Sequence, residues 1–167
     1  MPAEDLMTMI EAARWTPSAF NYQPWRLIYA LRGDAHWEAL LDLLIPFNRS
    51  WAASASAIVF FVSEKDMGSP DKPSWSHSFD TGAAWAHFAL QAAMLGYHSH
   101  GMSGILIDDA TTALALPANF RVDAAAVVGR IGDPASLPEA LRAREAPSDR
   151  KPHTEIAFHG RLPEDAA

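Results

Sequence analysis

The 167-residue chain has no cysteine, which excludes disulfides and every thiolate metal site and suits a reducing, bacterial-type cytoplasm. Positive charge is scarce. Thirteen Lys and Arg against 20 Asp and Glu leave a net charge of −7, the wrong balance for a protein that holds nucleic acid by neutralising phosphates. Any phosphate must instead be held by a few local groups. Long apolar runs are missing: the most hydrophobic stretches are too short to span a bilayer, and no segment has the basic start and apolar run of a signal peptide. These absences predict a cytoplasmic protein with neither nucleic acid nor membrane as partner. No repeat or low-complexity tract interrupts the chain. Its seven histidines, His77, His87, His98 and His100 among them, form no recognised ligand spacing, and no serine sits in a nucleophile elbow. Neither a metal site nor a nucleophile–base pair is expected. What is present is 49% hydrophobic, enough for the core of one domain over residues 1–167, with 148–167 as a C-terminal tail.

The chain is organised around Trp15-Thr16-Pro17-Ser18-Ala19-Phe20-Asn21-Tyr22-Gln23-Pro24-Trp25, between a helical pattern over Glu4 to Arg14 and a strand over Leu27 to Leu31. Pro17 stops the helix, and the two prolines push Thr16 and Gln23 towards extended backbone. Short polar side chains on a stiffened loop, flanked by aromatics, can offer hydrogen bonds to a planar ligand. They can equally satisfy the loop's own backbone.

Further along, Ala35 to Leu44 reads as a helix, which the segment Pro46 to Trp51 interrupts. Ala57 to Val62 is continuously apolar, the mark of a central strand covered on both faces. Lys65 to Ser74 reads as flexible. Ser78 to Leu95 is the longest helical pattern, with one apolar stripe of Phe79, Ala83, Ala86, Leu90 and Met94 and a second of Trp85, Phe88, Ala92 and Leu95. Such a helix needs cover on every side, from its own chain or from a second copy. His98 to Ile105 is glycine-rich, Asp108 to Leu116 is a short helix, Val122 to Ile131 is a second buried strand, and Leu137 to Arg144 is helical. Helices and strands alternate irregularly, so pattern alone leaves α/β and α+β open.

The stretch PSAFNYQPWRLI, Pro17 to Ile28, resembles the PS-x-x-N-x-Q-P-W signature of FMN-dependent nitroreductases. Leu90 to Tyr97 is similar to the family's L-x-A-x-x-L-G-L, and VVGRIGDP, from Val127, resembles its late strand and turn. The resemblance implies a mixed α+β nitroreductase-like fold, with a central mixed sheet flanked by helices, in an intertwined homodimer whose two FMN sites lie at the interface. It places Pro17, Ser18, Ala19 and Asn21 along the flavin from the partner subunit, with Gln23 and Trp25 stabilising the loop. By the same resemblance, Asn48 would point at the flavin, Gly101, Met102, Ser103 and Gly104 would form the loop whose backbone N–H approaches flavin N5, and Arg150 with Lys151 would grip the phosphate. Taken alone, Asn48 also fits a helix cap, the glycines fit a plain turn, and Arg150-Lys151 fits solvated charge.

The pattern departs at the start. Nitroreductases open with an Arg-x-Ser-x-Arg element upstream of the first helix, whereas this sequence begins on that helix; a family Lys is Trp51 here and a basic position is Ser148. A start downstream of the true one, a shortened branch that holds FMN by Arg150, Lys151 and backbone groups, or loss of flavin would each account for this. The implied activity is ping-pong transfer of hydride from NAD(P)H through FMN to a nitroaromatic, quinone or similar planar electron acceptor, with no catalytic side chain. The alternative is a non-catalytic dimeric module of the same fold.

Overall fold

The computed structural model describes residues 1–137 and 139–163, and the chain divides into two compact units, Met1–Ile131 and Gly132–Ala167. The first unit opens with helix α1 (Ala3–Arg14), which buries Leu6, Met9 and Ala13 at helical spacing; Glu4 and Asp5 in its first turn and Arg14 in its last complement the helix dipole. Strands β1 (Trp25–Leu31) and β2 (Ala57–Glu64) are joined by two short helices, α2 (Trp37–Leu41) and α3 (Pro46–Ala52). Helix α4 (His77–Met94) leads to β3 (His98–Met102), and α5 (Ile107–Ala113) to β4 (Phe120–Gly129).

The four strands form one sheet in the order β1-β2-β4-β3, every neighbouring pair antiparallel. Layers and class are those expected, but the mixed character expected of the sheet is absent from these strands. β4 inserts between β2 and β3, which run in the same direction, so no two parallel strands become neighbours. β2 is buried along nearly its whole length, as its apolar run predicts. Its side chains alternate between two cores. Ile58, Phe60 and Val62 pack with Trp37, Leu40, Leu41 and Leu44, while Ala57, Val59 and Phe61 pack with Leu6, Met9, Ala84 and Phe88. Helices therefore cover both faces of the sheet.

Two local expectations change, and a third segment is seen in detail. Pro46 to Trp51 does not merely interrupt a helix: Pro46 occupies the first turn, where its missing N–H is harmless, and starts α3. The helix expected over Ala35 to Leu44 is only α2, because Leu43 and Leu44 turn to meet the chain after β3 through the bridge from Leu44 to Ile105. Lys65 to Ser74, read as flexible, is closed by Ser74 N–H to Lys65 O at 2.9 Å and Met67 N–H to Lys72 O at 2.8 Å.

The long helix runs as predicted, and the fold chooses between its stripes. Phe88 and Ala92 are buried, whereas Phe79, Leu90 and Met94 are 79%, 64% and 81% exposed, leaving an apolar outer face along about four turns. No helix among the described residues is long and apolar enough to cross a membrane. In the second unit, 3-10 turns at Pro134–Ser136 and His153–Glu155 flank a one-turn helix, α6 (Glu139–Arg142). The longer helix expected over Leu137 to Arg144 includes Pro138, and the expected tail includes residues 164–167; these positions lie outside the described residues.

Candidate functional site

The loop after α1 is built from unusual backbone. Phe20, Asn21 and Gln23 have φ values of 53°, 55° and 56°, the left-handed region. Asn enters it readily, but an aromatic residue held there costs roughly 1–3 kcal/mol and persists only where its surroundings over-determine the shape. Ser18 Oγ accepts the Gln23 N–H at 2.9 Å, and the Gln23 amide donates to Asn21 O at 3.1 Å. From outside the loop, Ala19 N–H donates to Asp80 Oδ2 at 3.3 Å, and that oxygen also accepts Ser76 Oγ at 2.9 Å. At the loop's base, buried Thr16 meets His87 Nδ1 at 2.9 Å, and at its far end Tyr22 donates to Glu64 at 3.3 Å. Burial, then the Glu64 charge, pushes the Tyr22 phenol up. The turn carries Phe20 outward, 91% exposed. Of the predicted loop residues, Ala19 has its N–H committed to Asp80. The Ser18 hydroxyl hydrogen and the Asn21 side-chain amide have no partner among the described residues.

Asn48 and Gly104 come together as a second cluster. Asn48, on α3, donates its Nδ2 to Gly104 O at 3.1 Å, and the Ile45 N–H donates to the same carbonyl at 3.2 Å. A Cβ on Gly104 would lie 2.4 Å from Asn48 Nδ2 and 2.7 Å from Ile45 Cδ1, so only glycine fits without a shift. One hydrogen of the Asn48 amide nitrogen is thus committed within the chain, and its Oδ1 is left to accept. Ser103 is exposed, and neither its N–H nor that of Gly104 has a partner among the described residues.

The glycine-rich segment is not a loop throughout. Gly101 and Met102 belong to β3, opposite Ala126 and Ala125. Met102 is buried in the core, and Gly101 lies against Trp85, whose Cζ2 would be 3.1 Å from an added Cβ. Their side-chain positions are therefore structural, because edge pairing with β4 extends two residues further than glycine content suggests. Ser103 and Gly104 follow the strand with N–H groups that have no partner among the described residues.

Arg150 and Lys151 are exposed in the second unit. Arg150 Nη1 donates to Ser148 O and Oγ at 3.0 and 2.8 Å and to Asp149 O at 3.0 Å, which folds the guanidinium onto its own chain. Trp51, at the family's lysine position, sets its ring edge against His100 with centroids 4.8 Å apart. No group of three or more His, Asp or Glu able to hold a metal occurs among the described residues.

Described contacts join Asn48 to Gly104, and the 18–23 turn to Asp80 and Glu64; none joins the two clusters. Three clefts on the first unit, the largest about 760 Å³ and lined by Asp5, Arg32, Trp51, Tyr97 and His100, are lined by none of the predicted residues. Sequence reading missed Asp80 and Glu64. An acid in a helix's first turn reads as a dipole partner, and nothing local reveals a contact 61 residues away.

The family model described as Nitroreductase family matches residues 1–50. A solved structure described as an oxidoreductase containing FMN is 44% identical, covers 98% of this chain and 84% of its own, and superposes with a TM-score of 0.94. An uncharacterized 15.4 kDa protein in the ask 5′ region of Mycolicibacterium smegmatis is 30% identical over 144 residues, 81% of this chain and 96% of that protein. A nitroreductase family protein from Clostridium difficile 630, 22% identical over 97% of this chain and 88% of its own, has a TM-score of 0.73 and attests the fold.

Proposed function

Because the chain belongs to the nitroreductase family, we propose that it is an FMN-dependent oxidoreductase passing hydride from NAD(P)H to a nitroaromatic, quinone or similar planar acceptor. The observation that carries this reading is the lock between Asn48 and Gly104, with Asn48 Oδ1 and the Ser103 and Gly104 N–H groups left without partners among the described residues. That donor set fits the polar edge of a flavin ring. FMN, when bound, supplies the two-electron chemistry, and no side chain is needed as general acid or base. Ser103 and Gly104 donate to the ring edge, Asn48 Oδ1 accepts from it, and Gly101 and Met102 act by aiming the strand that ends just before Ser103. Arg150 and Lys151, in the second unit, carry the charge that suits a phosphate.

The second half of the site comes from another copy. Pro17 stiffens the loop, Ala19 fixes its position, and the Ser18 hydroxyl and Asn21 amide reach the partner's flavin. A homodimer also accounts for Phe79, Leu90 and Met94 standing exposed on α4, since an apolar stripe of this kind is stabilised by burial against a second copy.

An absorbance spectrum after adding FMN and desalting tests the reading. About one flavin is retained per chain, NADH or NADPH bleaches it without oxygen, and benzoquinone restores the colour. A protein that retains no flavin and oxidises neither nucleotide overturns it.

A further inference from the structure

We infer that Asp80 is a positioning residue that sets the shape of the Ser18–Gln23 turn and thereby the affinity for flavin; the second half of this statement rests on the function proposed above. The turn holds three non-glycine residues in left-handed backbone, so something outside it must define its shape. Its internal bonds, from Gln23 N–H to Ser18 Oγ, from the Gln23 amide to Asn21 O, from Asn21 N–H to Ser18 O and from Tyr22 N–H to Ala19 O, move with it and cannot place it. Thr16 with His87 anchors the chain before Pro17, and Tyr22 with Glu64 anchors it after Asn21. Between those anchors, the described hydrogen bonds to residues 17–21 from outside the turn reduce to one, Ala19 N–H to Asp80 Oδ2.

Burial makes that bond compelling. Asp80 is 4% exposed, and its recorded donors are Ala19 N–H and Ser76 Oγ. A buried carboxylate is tolerated only where donors face it, so a turn that drifted away would leave Asp80 short of a partner. The helix thus enforces the turn. Asp80 itself touches no cofactor, and its effect passes through the Ala19 backbone to Ser18 and Asn21.

Hydrogen exchange over residues 16–24, read beside FMN titration of the full chain, tests this. In Asp80→Ala the Ala19 to Gln23 amides exchange about tenfold faster or more, and FMN binds at least about tenfold more weakly. Asp80→Asn, which keeps an acceptor oxygen and guards against a misfolded alanine variant, falls between. Ser63→Ala serves as comparator: it removes the 2.7 Å contact to His77 in the same helical turn and leaves both readouts within about twofold. Unchanged exchange in Asp80→Ala overturns the inference, as does a Ser63→Ala response as large. If the parent protein binds no FMN, the proposed function falls, and the exchange data alone decide the tie between Asp80 and the turn.

Discussion

Asn48 and Gly104 approach so closely that the Asn48 amide bonds the Gly104 carbonyl at 3.1 Å while leaving no room for a Cβ on the glycine. Gly104→Ala must therefore push Asn48 and Ile45 aside, destabilising the protein by about 1–3 kcal/mol. Adding Asn48→Ala restores part of that loss, because it removes the nearer of the two clashing groups and leaves Ile45. Thermal unfolding of the two single variants and the double variant measures the coupling. Purely additive losses would mean the two residues do not meet.

The outer face of α4 yields a prediction about assembly. Leu90→Glu or Met94→Glu places a charge where the proposed dimer buries an apolar side chain, weakening association by about 3 kcal/mol or more, roughly a hundredfold or more in Kd. Sedimentation velocity should show a folded monomer. A variant with the parent's mass in solution would remove this face from the interface.

Thr81 is 1% exposed, and its hydroxyl oxygen has no partner among the described residues. Replacement by Val keeps the shape and removes the stranded polar group, so Thr81→Val should gain about 1 kcal/mol in denaturant unfolding. A loss of stability would reveal a partner for the hydroxyl.

The end of α1 carries an acid-sensitive cluster. Hydrogen bonds from Arg14, then from Trp15, hold the Glu11 carboxyl at about 2, below its ordinary 4.5. A folded-state value below the unfolded one contributes stability that is present above about 4.5 and lost as pH falls through about 2. Glu11→Gln should flatten that part of the melting-temperature profile, and carboxyl carbon NMR should show Glu11 titrating last among the glutamates. Titration near 4.5 would mean the cluster does not persist in solution.

The physical grammar of the fold is local, and the sequence carried it. Ala57 to Val62 could only be a strand covered on both sides, α4 needed cover all round, and the PS-x-x-N-x-Q-P-W loop identified the family before any coordinates. Pairings across long separations were not legible. Asp80 meets Ala19 across 61 positions and Asn48 meets Gly104 across 56, contacts that exist only once α4 and the chain after β3 are in place. The same holds for the end of β3. Glycine content cannot say that Gly101 and Met102 pair with β4 while Ser103 and Gly104 follow the strand, because that depends on how far the neighbouring strand runs. Periodicity likewise marked two apolar stripes on α4, but only packing against α1 and the sheet decided that Phe88 turns inward and Leu90 outward. A side chain's period is written in its own segment, whereas its partner is set by the order in which strands and helices assemble.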